Sequence, residues 1–190
     1  GPQRGGGVAA RRRAGEGGAV YNAAGAALNL SNCTLSGNRS GGRGGAAFNA
    51  GGGVVNVSHC TLADNESPRG FGDACHNAFG GILLFKNTIV SNPAFGNDCS
   101  GMVAATGANL DRDGSCGISV SLRRVEPGLL PLADNGGGTP THALSPDSAA
   151  LEASNDCTLI DAVTPVAADQ RGVPRPQGAR CDLGAFELVR

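Results

Sequence analysis

Between residues 18 and 92, apolar and polar residues alternate in short bursts. Leu28-Asn29-Leu30 and Val55-Asn56-Val57 have a period of two, the signature of a half-buried strand, and no 3.6-residue helical stripe runs through them. Gly-rich breaks such as Gly41-Gly42, Gly44-Gly45 and Gly51-Gly52-Gly53 separate the bursts and predict corners. The bursts also recur. Residues 18–38 read GAVYNAAGAALNLSNCTLSGN and residues 45–65 read GAAFNAGGGVVNVSHCTLADN, an offset of 27. A third copy, GDACHNAFGGILLFKNTIVSN at 72–92, follows at the same offset of 27.

Two or three short strands repeated at a fixed period predict one turn of a parallel β-solenoid, with turns stacked ~4.8 Å apart and like side chains forming ladders. On a 27-residue spacing the apolar ladders are Leu28/Val55/Ile82, Leu30/Val57/Leu84 and Leu35/Leu62/Ile89, and Thr34/Thr61/Thr88 faces outward. Asn38, Asn65 and Asn92 fall where the chain turns. Their carboxamides suit turn backbone groups and stacked neighbours. A sandwich or a doubly wound α/β fold explains neither the period nor the lack of helix patterns. The expected fold is therefore all-β, a parallel β-helix with coils of about 27 residues.

Three regions follow. Residues 1–94 are regular coils, of which 1–17 read as an eroded one (Val8 aligns with Leu35), so further coils are expected upstream. Residues 95–138 keep the composition without the period. Residues 139–190, rich in Pro and Gly, are expected to cap the final edge of the stack, which would otherwise pair with another chain.

Composition narrows the function. Gly accounts for 32 of 190 residues, there is no Trp, and aromatics make up 4 %, which argues against a core of large rings. A net charge of −1 supplies no field for nucleic acid or an anionic membrane. No apolar run reaches the ~18 residues of a membrane span. Seven cysteines, an odd number, occur without any Cys-x-x-Cys, and His59, His76 and His142 are scattered; disulfides in an oxidising compartment fit better than a metal site. Cys99 with Cys116 would close a loop worth about 3 kcal/mol in the chain-entropy model. Cys157 with Cys181 is a second pair. Cys33 and Cys60 share a column, either bonded or as buried thiols, and Cys75, placed in the column of Tyr21 and Phe48, is the expected unpaired thiol.

Candidate chemistry is sparse. Asp64, Glu66, Asp73 and Asp98, with Arg39 or Arg69, are the residues from which a polysaccharide-cleaving site would be built. On the 27-residue spacing no two of these carboxylates stack to divide acid and base roles, and Glu66 lies one coil above Arg39 as a surface ion pair. No catalytic residue is therefore expected, with Asp64, Asp73 and Arg39 as the candidates to check. Asp111-Arg112-Asp113-Gly114-Ser115 has the alternating oxygens of a calcium loop but not its later bidentate acid. It reads as a turn, with no cofactor expected and Ca2+ at Asp111 and Asp113 as the alternative. The single Thr column lacks the parallel partner that an ice-binding face needs.

Three strings, NLDRDGSCG (109–117), PLADNGGGTPTHAL (131–144) and DQRGVPRPQGARCDLGAFE (169–187), together with the GGAVYN…LNLSNCTLSGN coils, resemble the bacterial choice-of-anchor Q domain family. The coils are also similar, more loosely, to the repeats of polymorphic outer-membrane proteins. The resemblance implies a right-handed helix and export to the bacterial cell surface, and it brings no catalytic residues. The expected function is a non-catalytic structural, adhesion or glycan-binding surface module; the alternative is a polysaccharide lyase or glycoside hydrolase. Partners would be glycans or surface proteins, or a second copy through an open N-terminal edge, with neither nucleic acid nor membrane insertion.

Overall fold

The computed structural model describes residues 15–67, 71–92, 96–117 and 122–190. The eroded coil read over 1–17 falls almost wholly outside them, as does Arg69. The first coil comprises β1 (Val20–Asn22), β2 (Ala27–Ser31) and β3 (Thr34–Ser36). The second has β4 (Ala47–Asn49), β5 (Val54–Ser58) and β6 (Thr61–Ala63), and the third β7 (Phe71–Asn77), β8 (Ile82–Lys86) and β9 (Ile89–Ser91). Four more strands follow: β10 (Asn97–Ser100), β11 (Ala104–Thr106), β12 (Leu110–Asp111) and β13 (Leu122–Arg123). A hairpin, β14 (Leu129–Ala133) and β15 (Thr141–Leu144), ends the regular structure.

The chain is all-β among its described residues, and its strands sort by position in the coil. One parallel sheet has the order β1-β4-β7-β10, a second β2-β5-β8-β11 and a third β3-β6-β9-β12-β13, a β-helix-like arrangement. The hairpin β14-β15 is the antiparallel exception.

The register corrects the sequence-derived ladders. The first two coils pair at 27, as Leu28↔Val55, Leu30↔Val57 and Leu35↔Leu62. The third pairs with the second at 28, as Phe48↔His76, Val55↔Leu83, Val57↔Phe85, Thr61↔Ile89 and Leu62↔Val90. The inward ladders are thus Leu28/Val55/Leu83, Leu30/Val57/Phe85 and Leu35/Leu62/Val90; Ile82, Leu84 and Ile89 lie on the opposite face. One residue has been inserted between Ser67 and Gly72: Ser40 still bonds at the 27 spacing, whereas the amide of Gly44 bonds to Phe71 O and so aligns Gly44 with Gly72. One is removed at the next corner. Gly37 and Asp64 occupy left-handed conformations there (φ 67° and 55°), and Asn92 follows Ser91 with no counterpart. The two changes cancel, so Asn65 and Asn92 are again 27 apart.

The same shift relocates Cys75, which pairs with Ala47 and Cys99 and not with Tyr21 and Phe48. His76 takes the aromatic column instead, stacking on Phe48 (5.2 Å between centroids) as Phe48 stacks on Tyr21 (5.3 Å). Cys60 is followed by Thr88, not Asn87. Cys33 and Cys60 are buried free thiols, 3.2 Å apart at sulfur, and Cys75 is free and buried as well.

The core between the sheets consists of small and medium side chains: Leu35, Val55, Val57, Leu62, Leu83, Phe85 and Val90 with buried Ala and Cys. A second apolar cluster lies outside the third sheet, where Ile89 and Leu110 meet Leu144, Ala150, Leu183 and Phe186. The described contacts of residues 139–190 therefore run along the flank of the stack: Asn32 donates to Ala168 O, Thr34 to the Gln170 side chain, and Ala185 N–H to Thr61 Oγ1. The outward Thr34 and Thr61 are buried by this segment, which rules out an exposed Thr face.

Several charges lock the flank down. Lys86 is 1 % exposed, yet its three N–H donors meet Asp156 Oδ2 (2.7 Å), Thr158 Oγ1 (2.7 Å) and Leu159 O (2.8 Å). Arg175 pairs with Glu187 at 2.8 Å in full burial and donates to the carbonyls of Asp182 and Gly184. Arg171 bonds Asp169 and lies over the Phe186 ring at 3.5 Å. The string DQRGVPRPQGARCDLGAFE is thus one interlocked cluster.

Candidate functional site

The asparagine corner builds a directed chain of hydrogen bonds. Asn38 donates both its backbone N–H and its Nδ2–H to Asn65 Oδ1 (3.0 and 2.9 Å). Asn65 donates the same pair to Asn92 Oδ1 (2.7 and 3.1 Å). Asn92 then donates both to Asp98 Oδ1 (3.2 and 2.6 Å). Each rung accepts on its oxygen and passes a donor forward, and at the fourth rung an aspartate stands where the pattern has asparagine.

Asp98 meets two further acids from the turn after β12. One carboxylate oxygen from each of Asp98, Asp111 and Asp113 lies within 4.8 Å of the others. Asp111 occupies an inward position, paired with Val90 and hence fourth in the Leu35/Leu62/Val90 ladder. Its oxygens accept from the amides of Gly114 (3.1 Å) and Cys116 (2.8 Å), which offset part of the cost of placing a carboxylate on a core ladder. Asp113 accepts from Ser115 N–H (2.7 Å) and, through Oδ2, from Asp98 N–H (2.8 Å). The Cys99–Cys116 disulfide, with Cα atoms 4.7 Å apart, joins the residue after Asp98 to the end of this turn.

Burial pushes the Asp98 carboxyl up to about 7 and the Asp111 carboxyl up as well, the neighbouring acids adding to both. Asp113 is also partly buried, but hydrogen bonds from Ser115 hold it below the usual carboxylate range. Asp73, on the adjacent strand, is raised by burial despite accepting from Ser67 N–H at 2.8 Å.

A groove of about 430 Å³ opens between the third sheet and the hairpin, lined by Asp64, Asn92, Arg112, Glu126, Leu130 and His142 among others. Arg112 donates Nε–H to Glu126 (2.9 Å) and Nη1–H to Asn92 O (2.7 Å). His142 lies 3.9 Å from Asp64, but its ring is engaged: Nδ1 donates to Leu130 O and Nε2 meets Ser36 Oγ, both at 2.8 Å.

The exposed face of the second sheet offers different chemistry. Asn56 donates to Asn29 Oδ1 (2.9 Å), and the outward columns become apolar toward the third coil, where Ile82 stands 55 % exposed. The corner between the first and second sheets presents Phe79, fully exposed, and, one coil on, Met102, 86 % exposed, whose carbonyl accepts from Asn77 Nδ2 (2.7 Å).

Of the residues singled out in the sequence, Arg39 and Glu66 form an exposed ion pair and Asp64 is an exposed corner residue. Neither is brought to the acid cluster. Asp111 and Asp113 are, and Asp98 joins them. The ladder signal that could have located Asp98, an Asn-to-Asp change at the fourth rung, is hidden because the spacing there collapses from 27 to 6 residues. Cys157 and Cys181 form the second disulfide, and the two bridges point to an oxidising environment. No family model, curated protein or solved structure matches the chain.

Proposed function

We propose that this chain forms an exported right-handed parallel β-helix, displayed at a bacterial cell surface as a non-catalytic structural or adhesion module that contacts glycans through its side. The supporting observation is the open face of the second sheet, where the Asn29–Asn56 ladder continues at Leu84, two residues from the exposed Ile82, with Phe79 and Met102 in the corner before these strands. Carboxamides match sugar hydroxyls as donors and acceptors, and a solvent-facing ring offers a flat apolar surface beside them. Exposed apolar side chains gathered at one corner are a common mark of a contact surface. The resemblance to the choice-of-anchor Q domain family supports the surface location and the handedness.

The groove beside Asp64 and His142 favours a second reading, a polysaccharide lyase or hydrolase. Retention on immobilised acidic and neutral polysaccharides, with simultaneous assay of unsaturated products and reducing ends, separates the two. Retention without products, weakened by Phe79→Ala and Asn56→Ala, supports the surface module. Product formation lost in Asp64→Asn supports the enzyme. Retention that ignores the face substitutions overturns the assignment of this face.

A further inference from the structure

The hydrogen-bond chain through Asn38, Asn65 and Asn92 has a direction, and it ends on the wrong group. In each asparagine the oxygen accepts from the rung before and Nδ2 donates to the rung after. Asp98 accepts on Oδ1 as its predecessors do, but it has an oxygen, Oδ2, where they carry the donor. That oxygen is buried and has no hydrogen-bond partner among the described residues, and Asp98 is only 3 % exposed. Beside the Asp98 carboxylate stand those of Asp111 and Asp113, with one oxygen of each of the three within 4.8 Å of the others. Three like charges in one partly dry place repel strongly unless a positive charge joins them.

Three arginines, Arg112, Arg123 and Arg124, stand beside the turn, and among the described residues none forms an ion pair with Asp98, Asp111 or Asp113. Arg112 is directed to Glu126 and to the Asn92 carbonyl, and Arg123 to the Gly114 carbonyl. We propose that Asp98, Asp111 and Asp113 bind a divalent cation, Ca2+, which takes the place of the missing donor and closes the asparagine ladder onto the turn after β12. Oxygens no more than 4.8 Å apart leave a central point at most about 2.8 Å from each, and a small adjustment brings this to the Ca2+–oxygen range of about 2.3–2.6 Å. Mg2+ demands about 2.0–2.1 Å in a strict octahedron, which this wider triangle suits less well. The amide bonds to Asp111 and Asp113 and the Cys99–Cys116 bridge hold the acids in place, so little ordering remains for binding to accomplish.

The test uses the full 190-residue chain, stripped with a chelator and titrated with CaCl2 or MgCl2 by calorimetry and thermal unfolding. One Ca2+ site is expected, and at a hundredfold excess over Kd the unfolding midpoint should rise by roughly 5–10 °C. Asp98→Asn restores the ladder's own donor. It should raise the midpoint of the metal-free protein and abolish the Ca2+ response, an outcome a merely structural Asp98 would not give. Should that variant not fold, Mn2+ added to the wild-type chain serves instead. It should broaden the amide NMR signals of Asp98, Gly114 and Ser115 before all others. Absence of Ca2+ binding up to millimolar concentration, an undiminished response in Asp98→Asn, or broadening that begins elsewhere would each overturn the proposal.

Discussion

Asn92 places two donors, its backbone N–H and its side-chain amide, on a single oxygen of Asp98, at 3.2 and 2.6 Å. Asn65 and Asn38 make the same two-donor contact one and two coils earlier. A buried corner with repeated unpaired amides would be costly, and the ladder satisfies each corner from the next. The described geometry thus ties the regular coils to the irregular segment that follows them.

Replacing Asn65 with Ala removes the acceptor of two Asn38 donors and leaves the Leu35 carbonyl without its bond from Nδ2. Several buried groups would then be unsatisfied at about 1–3 kcal/mol each, so a loss of roughly 2–4 kcal/mol in urea unfolding is expected. The exposed Asn56→Ala change, which removes one surface bond to Asn29, should cost less than about 1 kcal/mol.

Gly81 illustrates a glycine required by close approach. A Cβ there would collide with Asn77 Oδ1 and Asn49 Nδ2, the second asparagine ladder, which runs Asn22–Asn49–Asn77 at 2.8 Å per step. Gly81→Ala should therefore destabilise the fold by about 1–3 kcal/mol, the usual cost of overpacking. Gly138→Ala, whose Cβ would meet nothing within 4 Å, should leave the urea midpoint nearly unchanged.

His59 carries a pH dependence. It is fully buried against Asn87 and the Thr158 carbonyl, and burial, followed by the charge of Arg175, lowers its pKa from 6.5 to about 3. The unfolded chain binds a proton below pH 6.5 that the folded chain refuses. This contribution is therefore complete above pH 6.5 and is lost as pH falls toward 3, by up to about 1.4 kcal/mol per unit. His59→Asn, which matches the Asn32 and Asn87 of its column, removes it. Urea melts at pH 7, 6, 5 and 4 should show the wild type losing stability relative to the variant, and parallel curves would contradict the assignment.

The repeat made much of this visible in the chain. Identical positions in two 27-residue copies, and the Asn38/Asn65/Asn92 spacing, follow directly from ladders that need like side chains. The one-residue insertion near Gly72 stayed hidden because the missing counterpart of Asp64 cancels it by Asn92, so both ends of the third copy read in phase. Between those ends every residue moved one place, exchanging Ile89 for Val90 inside and Cys75 for His76 in the aromatic stack. Asp111 and Asp113 were recognisable from their turn motif. Asp98 was visible as an acid but not as their neighbour, since its place depends on a ladder step that no sequence period records. The packing of residues 139–190 on the third sheet rests on pairs far apart in the chain, such as Thr34 with Gln170, 136 residues away, and His59 with Thr158, 99 away.

The register is the claim on which the ladders and the acid cluster both depend, and nuclear Overhauser contacts between side chains test it most directly. Contacts from the Phe48 ring to His76 and from Val55 to Leu83, alongside Leu28 to Val55, are predicted. Contacts from Phe48 to Cys75 and from Val55 to Ile82 in their place, the pattern of an unbroken 27-residue repeat, would contradict the account.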